Sequence, residues 1–385
     1  MSSLTAQPAA KTMTARQTGL PPAAPASPEG APGCLRPFAN ERLNSRLPRA
    51  LPSGKWSPAW SAAIDGALMP TAVLASGPHA LVLGRTAFQL FVQGKPVAHG
   101  ERMGEDAEIL PVEGVFLQPD RYSRIATYSL GAGSPEKYFT ANGANDTLRT
   151  FIHRRAGNTI VASADESRSP SDPTPNRTVY LQVFNAAGEQ TANRDADTGR
   201  LRLAMHNDFI ITARPNAIDF LDLALNAPRR IEAQMTPQGL SLDESGRVYL
   251  LCEINRRQRL WIVSPTGEYA AVPMPDGVVA FHRPPVVGYD HRVYLLSLNR
   301  IVTVNDAGQL DWQFNAPARV AGATVLTEGH LIAATGDTII ALNPKGESQI
   351  LCQVPGEQLM ASPILGSAGE LYALTDRRLH CFTAA

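Results

Sequence analysis

The chain has 385 residues, of which 44% are hydrophobic and 18% charged, and its 35 basic and 35 acidic residues leave a formal net charge of zero. This length suggests two ordinary domains or one large all-β domain built by repetition. Zero net charge excludes the basic footprint of a protein held on nucleic acid or anionic lipid. The sequence contains no run of about 18 apolar residues that would span a membrane. We therefore expect a soluble protein with neither nucleic acid nor membrane as its partner.

Residues 1–55 differ in composition from the rest of the chain. Up to Gly33 they are mainly Ala, Pro, Ser, Thr and Gly. Such a segment buries too little apolar surface to offset the entropy of ordering it. No basic region followed by an apolar stretch of about 7 to 15 residues comes after Met1, so a secretory signal is not indicated. The interpretation is a disordered Pro/Ala-rich tail and an extended lead-in over 1–55, in a cytoplasmic protein.

From Trp56 onward the chain repeats a unit of short apolar strands joined by polar turns. The clearest copies begin at Arg247, Arg292, His330 and Glu370, and looser copies lie upstream. Alternation, β-branched residues and turns containing glycine favour strands and hairpins over helices. The equivalent strand positions are Leu81, Val115, Ile160, Phe209, Val248, Val293, Leu331 and Leu371. They are on average about 41 residues apart, the length of one four-stranded propeller blade.

Eight copies predict an all-β fold, a single β-propeller of eight four-stranded blades over residues 56–385. Seven blades is the alternative, if one copy is degenerate. The last copy stops at Phe382, after its third strand. We expect residues 55–64, which precede the first copy, to supply the missing fourth strand, because this closes the ring and leaves no open sheet edge there.

The later copies resemble the pyrroloquinoline-quinone-like (PQQ-like) propeller repeat. The resemblance rests on Pro284 with 293–314, on 338–349, and on Ser362-Pro363 with 371–382. Trp312, after the turn glycine, matches the tryptophan that docks neighbouring blades in that family. WD and kelch repeats fit less well, because the copies lack both a terminal Trp-Asp and paired glycines.

The resemblance also implies what a quinone-dependent member would contain. Such dehydrogenases have a vicinal cysteine pair near the cofactor, a calcium held by Glu, Asn and Asp, and an export signal. The cysteines of this chain are isolated from one another: Cys34, Cys252, Cys352 and Cys381. We expect no cofactor, and in particular no PQQ, because site residues rather than fold decide chemistry.

One segment has oxygen ligands at a spacing that suits a hard cation. Asn193, Asp195 and Asp197 alternate before Gly199, so they are a candidate calcium site. The twelfth-position glutamate of a calcium loop is absent, and the same residues favour an ordinary solvated turn.

Three histidines lie near the ends of predicted inner strands, where side chains surround the central channel. They are His153, His206 and His282. Together with Arg154 or Arg155 they are candidates for binding an anion or for acid–base work. The alternative is that each histidine faces solvent or caps a strand.

These observations favour a non-enzymatic propeller that acts as a protein–protein interaction scaffold or recognition module. The sequence contains no motif for an activated nucleophile or for a phosphate-binding loop. The alternative is an enzyme, a lyase or a biosynthetic tailoring activity, with a histidine-containing site at the channel mouth.

Overall fold

The computed structural model describes most of the chain from residue 45 onward and one short segment before it. The described residues are 33–34, 45–66, 68–101, 108–110, 115–119, 124–130, 135–140, 151–155, 158–167, 176–185, 187–196, 202–206, 209–274, 278–280, 284–305 and 307–385. Over these ranges the chain forms strands and turns, without any helix long and apolar enough to cross a membrane.

The strands group into eight sheets, numbered I to VIII in chain order. Three strands come first: β1 (Gly33–Cys34), β2 (Arg46–Leu47) and β3 (Trp56–Ala63). Sheet I contains β4 (Pro70–Ser76), β5 (His79–Gly84), β6 (Ala87–Val92) and β7 (Lys95–Glu101). Sheet II contains β8 (Glu108–Leu110), β9 (Val115–Pro119), β10 (Arg124–Ser129) and β11 (Pro135–Thr140). Sheet III contains β12 (Phe151–Arg155), β13 (Asn158–Ser167), β14 (Asn176–Phe184) and β15 (Gln190–Ala196). Sheet IV contains β16 (Arg202–His206), β17 (Phe209–Arg214), β18 (Ala217–Leu221) and β19 (Arg229–Glu232).

The second half of the chain continues the same meander. Sheet V contains β20 (Thr236–Leu242), β21 (Val248–Ile254), β22 (Arg257–Val263) and β23 (Tyr269–Pro273). Sheet VI contains β24 (Val286–Val287), β25 (Val293–Leu296), β26 (Arg300–Val304) and β27 (Leu310–Asn315). Sheet VII contains β28 (Val320–Leu326), β29 (Leu331–Thr335), β30 (Thr338–Leu342) and β31 (Ser348–Gln353). Sheet VIII contains β32 (Ile364–Leu365), β33 (Leu371–Leu374) and β34 (Arg378–Ala384). The strand positions expected to be equivalent all lie in the second strands of these sheets, which confirms the repeat.

The apolar content of a strand follows its position in its sheet. The second strands β29 and β33 are buried along their whole length, since neighbouring sheets cover both of their faces. The fourth strand β27 is partly or fully exposed throughout. The middle strands therefore form a core between sheets, and the outer strands meet solvent.

The sheets form a closed ring with their first strands innermost. First strands of consecutive sheets contact one another, as β20 does with β24 and β32 with β4. Sheets III and IV share a buried cluster that includes Ile160 and Met205. Sheets VII and VIII meet where Thr324 Oγ1 donates to the Pro363 carbonyl, at 2.8 Å. We call the edge of each first strand that faces the central channel its inner edge.

Strand β3 closes the ring, as the sequence predicted. It pairs antiparallel with β34, from Trp56 opposite Ala384 to Ala63 opposite Arg378, and is the fourth strand of sheet VIII. A Cβ at Gly94 in sheet I would lie 2.8 Å from the Trp60 ring, so Trp60 packs flat on that turn. Sheets VIII and I are therefore packed together by a tryptophan on a turn glycine.

A second tryptophan contact of this kind lies within the ring, between sheets VI and VII. A Cβ at Gly346 would lie 2.9 Å from the Trp312 ring, and Trp312 Nε1 donates to the Pro344 carbonyl at 3.1 Å. Trp312 thus docks neighbouring sheets, as the resemblance implied.

Two short N-terminal strands lie on inner edges. Strand β1 pairs antiparallel with β4, with Cys34 opposite Ala75. Strand β2 pairs parallel with β28, with Arg46 opposite Val325, and the Val325 amide donates to the Ser45 carbonyl at 2.9 Å. Residues 1–32 lie outside the described residues, so the disorder expected there stays a prediction.

The two faces of the ring are distinguished by their turns. We call the upper face the side that carries the turns between first and second strands. In the described part of the chain these turns are residues 77–78, 243–247, 288–292, 327–330 and 366–370. Because β2 runs parallel to β28, the chain leaves the channel at the upper face. It then crosses the Gly369 turn, where a Cβ would lie 3.5 Å from Pro52, before β3 begins.

Candidate functional site

Polar side chains gather on the upper face where sheets V and VI meet the channel. Each first strand there ends in a turn with acidic residues, Asp243 and Glu244 after β20 and Asp290 after β24. Asp, Ser and Gly favour such turns because the side-chain oxygens accept hydrogen bonds from nearby main-chain amides. The repeat therefore places similar polar turns side by side at the channel mouth.

Asp243 is the centre of this cluster and is fully buried. Its Oδ1 accepts hydrogen bonds from the Ser245 amide at 2.9 Å, from Ser245 Oγ at 2.6 Å and from the Arg247 amide at 3.0 Å. Its Oδ2 accepts one from the Tyr249 hydroxyl at 3.0 Å. Burial by itself raises the pKa of Asp243, but these bonds outweigh it and hold the pKa below its ordinary value.

The same carboxylate orients His291 from the next sheet. His291 Nδ1 lies 2.8 Å from Asp243 Oδ2, and the His291 side chain is 37% exposed. An ionised carboxylate can only accept, so Nδ1 carries the hydrogen and Nε2 of the neutral ring is an acceptor. This arrangement locks sheet V to sheet VI and presents an oriented imidazole at the channel mouth.

Arg46 fills the space between this cluster and the inner edge of sheet VII. Its side chain is 1% exposed and forms an ion pair with Glu244. Nε donates to the Val287 carbonyl at 2.6 Å, and Nη2 donates to the Gly288 carbonyl. The guanidinium carbon lies 4.7 Å from the centre of the Tyr289 ring. Sheets V and VI therefore hold the Arg46 side chain, and sheet VII holds the main chain of β2.

The structure places one of the three predicted histidines at this cluster. His206 is the last residue of β16, and its Nε2 lies 2.8 Å from the Glu244 carbonyl. His153, Arg154 and Arg155 are in β12, where only the backbone is described, and His282 lies outside the described residues. The predicted convergence of the histidines with an arginine stays a prediction.

The candidate calcium residues lie at and beyond the end of β15. Asn193 pairs with Gln182, and Asp195 with Tyr180, so both are in a strand rather than a turn. Asp197 is outside the described residues, and the calcium site stays a prediction. No group of three or more His, Cys, Asp or Glu side chains suited to a metal ion occurs among the described residues.

At sheets V to VII, the surroundings of Arg46 do not provide the carboxylate set of a calcium site. The channel mouth at sheets V to VII is filled by Arg46 and Leu47, which are both 1% exposed. The oxygen atoms around Arg46 that could bind a metal ion are those of a single carboxylate and of carbonyl groups that already accept hydrogen bonds from its guanidinium.

The sequence predictions did not include Arg46, Asp243, Glu244 or His291. A signal for Asp243 and His291 was available, because both occupy the turn between the first and second strands of adjacent copies. No such signal exists for Arg46, since its position lies outside the repeat and its contacts are all more than 190 residues away in sequence.

Comparison with known proteins adds information on the fold. No family model matches the chain, and no curated protein matches it. BamB from Moraxella catarrhalis shares 13% identity at a TM-score of 0.57, covering 85% of this chain and 97% of that one. Quinohemoprotein alcohol dehydrogenase from Comamonas testosteroni shares 8% identity at a TM-score of 0.66, and the match covers 91% of this chain and 80% of that one. Sqt1 from Saccharomyces cerevisiae shares 11% identity at a TM-score of 0.56, and the match covers 84% of this chain and 98% of that one.

The chain is an all-β propeller. At these identities the similarity concerns the fold alone, because one propeller scaffold carries many unrelated functions.

Proposed function

We propose that this propeller is a non-enzymatic recognition module that binds extended segments of another protein. The observation that carries the proposal is the pairing of β1 and β2 with inner edges of sheets I and VII. Unpaired main-chain groups at a sheet edge accept an added strand largely irrespective of its sequence. One inner edge takes an antiparallel segment and the other a parallel one, so both orientations are accommodated.

The proposed partner is a protein rather than nucleic acid or membrane. The formal net charge of zero supports this, since phosphate-rich partners are held by an excess of basic residues. We further propose membership of the PQQ-like repeat family without its cofactor. The packing of Trp312 on Gly346 supports the family, and the filled channel mouth supports the absence of the cofactor.

A cytoplasmic location is part of the same proposal. Cys252, Cys352 and Cys381 are buried free thiols, and burial raises the pKa of each to about 12. Free thiols suit a reducing compartment. Subcellular fractionation tests this part separately.

The experiment is capture of partners by the tagged full chain, followed by reconstitution with the purified partner. We expect a complex of fixed stoichiometry by size-exclusion chromatography with light scattering. A matched full-chain variant, Trp60→Ala, weakens the ring and is expected to bind in proportion to its folded fraction. Failure of every captured protein to form a complex once purified would count against the proposal.

The enzymatic alternative has one observation in its favour, the His291 side chain oriented by Asp243. A histidine held in one tautomer by a buried carboxylate is the arrangement used for general base catalysis. Thermal-shift screening of small metabolites against the wild type and His291→Ala tests it. A ligand that stabilises only the wild type, and is turned over by it, would favour the enzyme.

A further inference from the structure

The surroundings of Arg46 form a complete binding site for an arginine side chain. The guanidinium meets one carboxylate, from Glu244, and two main-chain carbonyls, from Val287 and Gly288. Its face covers the Tyr289 ring, with the guanidinium carbon 4.7 Å from the ring centre. Charge, in-plane acceptors and an aromatic face are thus all provided by the ring of sheets.

This combination recognises arginine rather than lysine. A guanidinium is planar, presents its donors in a fixed fork and stacks on aromatic rings. An ammonium is a compact point charge, so it cannot reach acceptors on three sides and cover the ring at the same time. The acceptors here lie in the turn after β20 of sheet V and at the end of β24 of sheet VI, and only a fork of donors satisfies them together.

The site also recognises the main chain and the next side chain. The Val325 amide donates to the Ser45 carbonyl, and residues 46–47 lie in parallel register with β28. Leu47 is 1% exposed and belongs to the buried cluster that includes Leu326 and Leu365. The bound feature is therefore an extended Arg-Leu pair.

The main chain of the segment that occupies the site is paired over a short stretch only, through bonds such as those from the Val325 and Thr327 amides to the Ser45 and Arg49 carbonyls. Strand β2 has two residues, whereas β3 has eight. Short elements with few main-chain bonds open at a lower free energy than the rest of a protein. Glu244 is one-third exposed, so the site borders the solvent at the upper face.

We propose that this is a peptide-binding site for an extended segment carrying Arg-Leu, and that residues 45–47 occupy it as an internal ligand. The inference rests on the proposed function and specifies where a partner segment binds and what it must carry. Because the internal segment is tethered, its effective concentration is high. A partner gains access only when the tethered segment is weakened or outcompeted.

The test uses the full chain and a labelled peptide of residues 43–50, LNSRLPRA. We expect Arg46→Ala to bind this peptide at least about tenfold more tightly than the wild type does, because the internal ligand has lost its guanidinium. Arg49→Ala is the matched control, since it removes a neighbouring arginine and leaves the site filled. It is expected to bind as weakly as the wild type.

Two changes test whether the site binds arginine selectively. Replacing the first arginine of the peptide with lysine, or adding Glu244→Gln to Arg46→Ala, is expected to weaken binding at least about tenfold. A folded Arg46→Ala protein that binds neither peptide, or both equally, overturns the proposal. Such a result leaves partner capture by the wild type unaffected, so the two proposals fail separately.

If Arg46→Ala does not fold, the proposal is tested by hydrogen exchange on the wild-type protein. Hydrogen exchange of the amides of residues 45–47 and of Arg49 is measured with and without an excess of the unlabelled peptide. Faster exchange in its presence supports displacement of the internal ligand. Unchanged exchange at saturating peptide overturns the proposal.

Discussion

The N-terminal part of the chain meets the ring at two places, and the two contacts differ in kind. On the outside, β3 adds eight residues to β34 and repeats the tryptophan packing seen elsewhere in the ring. On the inside, β2 adds two residues to β28 and is held by one buried arginine with polar partners. The outer contact completes the fold, whereas the inner contact fills a site that the fold has already built.

The largest expected effect separates the two contacts by truncation. Removing residues 1–65 takes away both, and removing 1–54 takes away only the inner one. We expect the longer truncation to lower the free energy of unfolding by about 5 kcal/mol or more, because Trp56 and Trp60 are lost and the edge of β34 is exposed. The shorter truncation should retain a cooperative transition. Denaturant unfolding followed by circular dichroism measures both.

If removal of residues 1–54 destabilised the protein as much as removal of residues 1–65, the inner contact would contribute the stability that we assign to the outer contact. A version that lacks only residues 1–32 is the control, because it retains β1, β2 and β3.

A single side chain tests the outer contact. Trp60→Ala is expected to cost about 2 to 3 kcal/mol, because the ring packs on Gly94 and lies edge-on to Tyr372 at a centroid distance of 5.9 Å. Ser61→Ala on the same strand is exposed and should change little. An unchanged denaturation midpoint for Trp60→Ala would show that the closure does not depend on this packing.

The pH dependence of stability tests the polar cluster beside the inner contact. Asp243 has a pKa below its ordinary value when folded. The carboxylate therefore stabilises the protein fully above the ordinary pKa of about 4, and this contribution is lost as the pH falls through the lower folded-state value. Asp243→Asn is expected to cost about 2 kcal/mol at neutral pH.

The measurement is the difference in melting temperature between wild type and Asp243→Asn across an acid titration. We expect the difference to shrink at acid pH, once the wild-type carboxyl is also neutral. A difference that stays constant from neutral to acid pH would contradict the assignment. Asp290→Asn, at an exposed carboxylate on the neighbouring turn, is the control.

The smallest effect is a change in thiol reactivity. Cys381 lies in β34, opposite Trp60 of the paired strand β3. Burial is the main cause that raises the pKa of Cys381 to about 12. The native thiol should react with alkylating agents only after β3 opens. Trp60→Ala should therefore accelerate labelling of Cys381 more than labelling of Cys252, which lies in β21 of sheet V. Equal acceleration at both cysteines would indicate global rather than local opening.

Much of the fold follows from the order of apolar and polar residues. The period of about 41 residues places Leu81 and Leu371 in the second strands of the first and last sheets, and the incomplete last copy identifies β3 as its fourth strand. These features are local or repeat along the chain, so a single sequence reveals them.

The site depends on residues brought together from distant parts of the chain. His206 was predicted to lie at the end of an inner strand, and the structure places it there, beside the Glu244 carbonyl. Asp243 and His291 meet because equivalent turns of sheets V and VI are neighbours. The repeat assigns both residues to these turns, but Asp and His are ordinary turn residues, so the sequence alone does not show that the two side chains touch.

The sequence by itself determined the strand repeat, the all-β class and the outer closure, because burial between packed sheets requires apolar strands at regular intervals. Only the tertiary structure decided where Arg46 binds. Its acceptors, Glu244 of sheet V and Val287 and Gly288 of sheet VI, are 198 to 242 residues away, and a buried guanidinium is stable only where all of them converge.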